Sequence, residues 1–576
     1  VSGVVGYAAS VGPPGVGPRG AGAEPPPRLG LESRARNRAR QLAVERGVFT
    51  DEALADQITY LPGQLDEDVP FLQFSGYFDL VNRVPATGRE PQEANVHVFY
   101  WFTESQRSPK DDPLLLYLVG GPGCASALAL FTEVGPWKVM PGAVSVELSK
   151  TAVNQAANVL FVDVPIGAGF SYGTGPEANS EPRYKPKPDM NDGAYVMLLY
   201  RALEGFFERY PHYQSHKFFV AGESYAGHFL AEIVTHLLSR GSHETSKVPM
   251  PSGVLGFNPL IDHSLASWGF IEEMWYQQII PLPMYEKWAE QCHYTATLSE
   301  DDDADSNPTC RNIGTFYRDF IAPLDPFMIN YPVCYEYSYN RGKGGRHDGK
   351  PRSPSAYALM RASTWNLLYD DDYFNATSLS QAQEGGQRRL TRKEFDDDQE
   401  PTDDFEGHAY YDGPNLEYDA CEEDWSTDYL DRADVREALG VGIVPTRAFS
   451  MCNTEVTLAW DRAQIHSSKV STYATLANNY PELELWIVSG TEDAIVSGAS
   501  VQRLLGLIGA VVKQKWRPWS HNGQVGGHFQ TFGDKGNLKH VTVRGVGHFV
   551  LWGQPGRGLH VLTRFLKRLQ PSAMYY

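Results

Sequence analysis

Past the segment ITYLPGQ the chain settles into two repeating hydrophobic patterns. Short, almost unbroken apolar runs recur as NVHVFYWFTE, PLLLYLV, NVLFVDVP, KFFVAG, SGVLGFNP, LELWIVSG and HVTVRGV. Such runs predict strands buried on both faces, because a half-exposed strand would alternate apolar with polar positions. Between several of them lie stretches whose apolar residues recur at steps of three and four. GAYVMLLYRALEGFFERY is the clearest, and that period predicts an amphipathic helix. Strand and helix taken in turn predict an α/β fold with a central, mostly parallel sheet covered by helices on both faces.

The alternation lapses between Trp275 and about Gly440. That stretch is expected to be an insertion that caps an edge of the sheet. The chain then divides into a core built from residues 49–274 and 441–576 and a cap of residues 275–440. Within the cap, NRGKGGRHDGKPRSPS and QAQEGGQRRLTRKEFDDDQEPTDDFEG are charged and poor in apolar residues, so they are expected as exposed loops. DDDADSN resembles the start of a calcium loop, but Ser306 stands at its sixth position and Asn312 at its twelfth. Those positions call for glycine and glutamate, so a solvated acidic loop is the better reading. Residues 1–48, rich in Gly, Pro, Ala and Arg, are expected to be disordered or a pro-segment.

Composition narrows the class. At 576 residues the chain can bury a large core, and it reads as one catalytic domain with insertions. A net charge of −20 argues against nucleic acid and anionic membranes as partners. No apolar run in the sequence is long enough to span a bilayer. The six cysteines form no CxxC pair, which disfavours zinc and thioredoxin-type chemistry. Three disulfides are allowed, and spacing alone leaves fifteen connectivities open. Asn375-Ala-Thr377 is a glycosylation acceptor sequence. The chain opens at Val1 with no methionine or recognisable leader, as expected of a processed or truncated product.

The candidate chemistry begins at Gly222-Glu-Ser-Tyr-Ala-Gly227, a G-x-S-x-G turn between the strand KFFVAG and the helical run HFLAEIVTHLLSR. A nucleophile elbow requires that context, and it would expose the Ser224 hydroxyl at the sheet's C-terminal edge. A serine hydroxyl is a poor nucleophile without a base, so an acid and then a histidine are needed downstream. Asp493 follows the strand LELWIVSG, and His548 follows HVTVRGV. Both positions lie where doubly wound sheets carry functional residues. An oxyanion needs two backbone N–H donors. Tyr225, directly after the nucleophile, is one candidate, and Gly121 in YLVGGPGCAS is the other.

Together these segments resemble the serine carboxypeptidases of the α/β-hydrolase superfamily, from about Asp56 to Phe565. The resemblance rests on LPGQ, FSGYFDL, FYWFTESQRSPKDDPLLLYLVGGPGCAS, NVLFVDVPIGAGFSYG, FVAGESYAGHF, WRPWSHNGQVGGHF and GVGHFVLWGQP. It implies an α/β-hydrolase fold with Ser224 as nucleophile, His548 as general base and Asp493 as its orienter. It further implies that Glu223, Glu133 and Gly120 form the subsite for the substrate's C-terminal carboxylate. There two carboxyls share a proton and favour acid pH, because a doubly charged pair would repel the substrate. By the same resemblance Cys124 pairs with Cys452, Cys292 with Cys310, and Cys334 with Cys421, as in an oxidising compartment. The last bridge spans the charged loop with RRLTRK, where a cut would leave two chains joined by disulfides.

Three departures stand out. The family's Trp-Leu-Asn before the glycine pair is here Tyr117-Leu118-Val119, and valine cannot make the side-chain donation of that asparagine. Ala125 stands after Cys124 where the family prefers serine, and Thr491 replaces an acid near Asp493. The implied function is a serine carboxypeptidase acting on peptide C-termini in the secretory pathway, in a vacuole or lysosome or outside the cell. A homodimer is expected from the family, and neither a metal nor an organic cofactor is implied. Two alternatives remain. The first is a carboxypeptidase-like acyltransferase, favoured by Val119 but opposed by Glu223 and Ala226, which follow the peptidase form. The second is a catalytically silent binding or protective partner.

Overall fold

The run LLLYL at Leu114–Leu118 forms a strand with every residue buried, as its unbroken pattern predicts. Successive side chains point to opposite faces. Leu114, Leu116 and Leu118 enter one apolar cluster, while Leu115 and Tyr117 enter another. Phe218 and Val220 join the first cluster, Phe219 and Ala221 the second. A sheet with two apolar faces must be covered twice. Helices Asp192–Arg209 and Ala226–Arg240 cover one face, and Ser126–Thr132 and Pro555–Leu566 the other.

The structure, a computed structural model, describes residues 31–66, 68–84, 92–174, 190–240, 247–291, 324–334, 418–441 and 448–571. Its strands run β1 (Gln73–Val84), β2 (Gln92–Thr103), β3 (Leu114–Leu118), β4 (Trp137–Val139), β5 (Val146–Leu148), β6 (Asn158–Val162), β7 (Tyr172–Thr174), β8 (Phe218–Glu223), β9 (Pro251–Phe257), β10 (Glu484–Gly490), β11 (Val512–His521), β12 (Gln524–Phe532) and β13 (Leu538–Val543). The main sheet is ordered β1-β2-β6-β3-β8-β9-β10-β13-β12-β11, with β7 beside β2 and β4-β5 apart. From β6 to β13 neighbouring strands are parallel; the outer pairs are antiparallel. This is the expected α/β-hydrolase arrangement. The C-terminal ends of β8, β10 and β13 therefore share one edge. No described helix is long and apolar enough to cross a membrane.

The expected division of the chain needs two corrections. Residues 31–46, expected as disordered or pro-segment, form a helix with Leu31, Ala35, Leu42 and Ala43 buried. Its many arginines hid that stripe, yet they anchor it: Arg46 pairs with the buried Glu104 and Arg38 with Asp68, both at 3.3 Å. The remainder of the expected arm lies outside the described residues apart from 47–48. The cap is also smaller than 275–440. Met328, Tyr429, Leu430, Val435 and Leu439 are fully buried in the same cluster as β3's Tyr117. Helix Glu422–Leu430 packs on Ser126–Thr132, so the core resumes well before residue 441. Two expected bridges are formed, Cys124–Cys452 and Cys334–Cys421. Cys292–Cys310, Asn375, the acidic loop and the RRLTRK loop lie outside the described residues.

The core also buries carboxyls. Burial pushes Asp163 up to about 7 and Glu422 up to about 8. Burial pushes Glu273 up to about 7, with the Asp493 and Glu492 charges adding to it. The folded chain thus holds protons that the unfolded chain, ionising near pH 4, releases. The stability these groups contribute is full at acid pH and lost as pH rises through about 7 to 8. Burial also pushes His212, His540 and His560 down to about 4, which adds stability as pH rises from about 4 to 6.5. Above pH 6.5 the histidine contribution is complete and the carboxyl loss continues, at up to about 1.4 kcal/mol per pH unit for each proton. The thermal midpoint should therefore fall between pH 6.5 and 8.5 in calorimetry; a flat or rising midpoint would refute this reading of the core.

Candidate active site

Strand β8 ends at Glu223, and the helix begins at Ala226 after Ser224 and Tyr225. Ser224 takes the whole reversal, with φ of 60° in the left-handed region. That conformation costs a non-glycine residue about 1–2 kcal/mol. It is held by three backbone bonds: Ser224 N to Phe257 O at 3.2 Å, and Leu260 N and Gly227 N to Ser224 O at 2.8 and 2.9 Å. The glycines serve clearance rather than φ, since a Cβ on Gly227 would sit 2.2 Å from Leu260 O. Ser224 is half-buried at the C-terminal edge of the sheet, as the elbow pattern predicts.

Asp493 and His548, 55 residues apart, form a fully buried pair with His548 Nδ1 2.7 Å from Asp493 Oδ2. The other carboxylate oxygen accepts the backbone N–H of Ile495 at 2.8 Å and of Val496 at 3.2 Å. With Nδ1–H donating to Asp493, Nε2 keeps its lone pair, the form a general base needs. Nε2 is shielded from solvent and makes no hydrogen bond, so the link to Ser224 Oγ is not closed in this state. Catalytic contacts of this kind often tighten only with substrate.

Asn258, to which no sequence motif points, ties the strand end beside Ser224 to the His548 loop. Its φ is 42°, which asparagine tolerates better than most residues. Its Nδ2 donates to His548 O at 2.6 Å and Gly547 O at 3.1 Å, and its Oδ1 accepts from Gly490 N at 2.8 Å. The same residue follows Phe257, whose carbonyl holds Ser224. The only sequence signal was an Asn-Pro pair closing a buried strand. Thr491, noted only as a departure, accepts Gly545 N at 3.0 Å and so ties the Asp493 loop to the His548 loop.

A second fastening comes from the stretch expected to be cap. Pro326 O accepts Ala494 N at 3.1 Å, and Phe327 O accepts His548 N at 2.6 Å. The Phe327 ring stands edge-on to the imidazole at 5.0 Å. Tyr331 Oη donates to Gly545 O at 2.8 Å and to Gly553 O at 3.1 Å. Two consecutive carbonyls thus bracket both members of the Asp–His pair, and Cys334–Cys421 ends that segment. Nothing in its composition foretold this, because the bonds are to backbone.

Beside the elbow, Gly120 lies so close that a Cβ there would be 2.5 Å from Tyr225 N. Gly121 follows with φ of 110° and begins the turn to Cys124. Val119 is buried and donates only its backbone N–H, to Ser126 Oγ at 3.2 Å. Tyr117 Oη donates to Glu223 Oε2 at 3.4 Å. Burial, then the charges of Glu223 and of Glu133, push the Tyr117 hydroxyl well above its ordinary range, so both carboxyls bear on one phenol. Glu133 Oε2 and Glu223 Oε1 are shut off from solvent. One described cluster has the make-up of a metal site, Cys334, Cys421 and Asp424, but its sulfurs are joined as a disulfide.

A family model described as serine carboxypeptidase matches residues 62–568. Among curated proteins, the chain is 28% identical to serine carboxypeptidase-like 33 of Arabidopsis thaliana over 520 residues, covering 89% of this chain and 91% of that one. It is also 28% identical to serine carboxypeptidase 24 of the same plant, over 89% of this chain and 92% of that one. Among solved structures, KEX1(delta)p, a prohormone-processing carboxypeptidase from Saccharomyces cerevisiae, aligns with a TM-score of 0.62. The alignment covers 90% of this chain and 96% of the other at 15% identity, which speaks for the fold.

Replacing Asn258 with alanine removes three buried side-chain hydrogen bonds and strands their partners. Urea unfolding should show a loss of about 2–4 kcal/mol. A variant within about 0.5 kcal/mol of the parent would show that the strand ends are held by other means.

Proposed function

Because the chain belongs to the serine carboxypeptidase family, we propose that it is a hydrolase that removes the C-terminal residue of peptides through an acyl-enzyme on Ser224. The observation that carries this reading is the buried His548–Asp493 pair, with Nε2 left without a hydrogen bond at the edge where the elbow presents Ser224. Ser224 Oγ attacks the last peptide carbonyl while His548 Nε2 takes its proton, and Asp493 stabilises the imidazolium. The backbone N–H groups of Tyr225 and Gly121 receive the oxyanion. Its collapse expels the terminal amino acid, whose nitrogen takes the proton from His548. Water, deprotonated by the same imidazole, then cleaves the ester and restores the serine.

Recognition of the free carboxylate falls to Glu223 and Glu133, with Gly120 giving backbone access. A carboxyl pair that keeps one proton donates a hydrogen bond to the substrate and favours acid pH. The two disulfides support a route through the secretory pathway to an acidic compartment or the exterior. Val119 supports a second reading. Without the donor of an asparagine at that site, free-carboxylate selection is weakened, and transfer of an acyl group to an acceptor other than water becomes competitive.

Ser224→Ala should lower release from blocked dipeptides about 10⁴-fold or more at acid pH and abolish labelling by a fluorophosphonate. Parent-like activity in that variant would end the acyl-enzyme reading. Val119→Asn should raise selectivity for free-acid over C-terminally amidated peptides by roughly 10- to 100-fold, the worth of one hydrogen bond to a charged group. An unchanged ratio would move carboxylate recognition elsewhere. Product analysis with ester donors and alcohol or amine acceptors separates transfer from hydrolysis.

A further inference from the structure

Behind the elbow lies a buried charge that the reaction does not use. Asp192 opens the helix Asp192–Arg209 and is 1% exposed. Its Oδ1 accepts Tyr225 Oη at 3.0 Å and Trp460 Nε1 at 3.2 Å. Its Oδ2 meets His228 Nδ1 and Lys469 Nζ, each at 3.0 Å. Lys469 also reaches Glu232 at 2.9 Å. Burial opposes the charge on Asp192, but the hydrogen bond from His228 and the Lys469 ammonium outweigh it and hold the carboxyl below its usual range. Burial pushes the His228 imidazole down, against the pull of the Asp192 carboxylate that its Nδ1 faces.

Two of these donors, Tyr225 and His228, stand one and four residues after Ser224 and stack on each other at 4.6 Å. The other two come from the segment that also holds the glycine turn. Thr457 Oγ1 donates to Pro122 O at 2.8 Å, and Cys452 is bridged to Cys124. One carboxylate therefore fastens the residue whose N–H lies against Gly120 and the segment that carries the loop containing Gly120 and Gly121. Burying an ion costs several kcal/mol unless its lone pairs are matched, and here each oxygen takes two donors.

We infer that Asp192 is a positioning residue for the oxyanion donors: through the Tyr225 hydroxyl and the Trp460–Lys469 segment it sets the spacing between the elbow N–H and the glycine turn. The inference rests on the acyl-enzyme reading above. A displacement of about 1 Å in such a site costs on the order of 10²-fold in rate, so even partial release of Tyr225 is visible in kinetics. Pure scaffolding would alter unfolding and leave the rate of the folded enzyme alone.

Tyr225→Phe removes one of the four donors and leaves Asp192 its other three, so the fold is kept. At 25 °C this variant should lose about 10-fold in kcat with KM within twofold. Phosphorylation of Ser224 by diisopropyl fluorophosphate, which seats its P=O among the same donors as fluoride leaves, should slow by a similar factor. Asp192→Asn should lose more, about 100-fold, in both measurements. Parent rates in Tyr225→Phe accompanied only by a lower thermal midpoint would overturn the inference. So would a rise in KM at unchanged kcat. If the parent enzyme itself is not phosphorylated at Ser224 by this reagent, the acyl-enzyme reading fails first and takes this inference with it.

Discussion

A parallel sheet gathers the ends of its strands along one edge, but its hydrogen-bond ladder stops there. Asn258 supplies what the ladder no longer can. Its amide faces two carbonyls of the His548 loop and one N–H at the end of β10, and its backbone continues directly from the carbonyl that holds Ser224. A carboxylate has no donor and a lysine no acceptor, so asparagine meets both demands and the left-handed backbone as well. With that residue in place, the ends of β8, β9, β10 and β13 behave as one body, and the remaining fastenings refine a geometry already fixed.

The same edge shows how environment assigns work to like side chains. Asp163, Asp192 and Asp493 are all buried. Asp163 has backbone donors from Ala127 and Phe170 without a cation, and burial leaves it near neutral. Asp192 has four side-chain donors including an ammonium, and stays charged. Asp493 divides its oxygens between two backbone N–H groups and an imidazole, which fixes a tautomer. A carboxylate near a base, one under an elbow and one in the core differ only in their donors.

The bracket formed by Pro326 and Phe327 gives the inserted stretch a second character. Its described part holds the Asp–His pair from outside the sheet, so the insertion belongs to the site rather than merely covering it. Val119 acts in the opposite sense. It fills its place by packing and offers no side-chain donor, while the polar contact nearby is the one Tyr117 makes with Glu223.

The fold class, the turn at Ser224 and the places of Asp493 and His548 past strand ends were legible in the sequence because each is a local pattern. Two-faced apolar runs demand a covered sheet, and G-x-S-x-G between a strand and a helix demands a turn that lifts Ser224. Asp493 and His548 follow strands whose ends share one edge. The helix at residues 31–46 and the core packing of residues 422–439 were lost because charge-rich composition masked a sparse apolar stripe. Asn258, the Pro326–Phe327 carbonyls and the four donors on Asp192 were lost for another reason. Their meaning lies in partners up to 290 residues away, and in backbone groups that every residue carries alike. Local order decides which side chains the chain offers; only the closed tertiary structure decides which buried polar groups must satisfy one another.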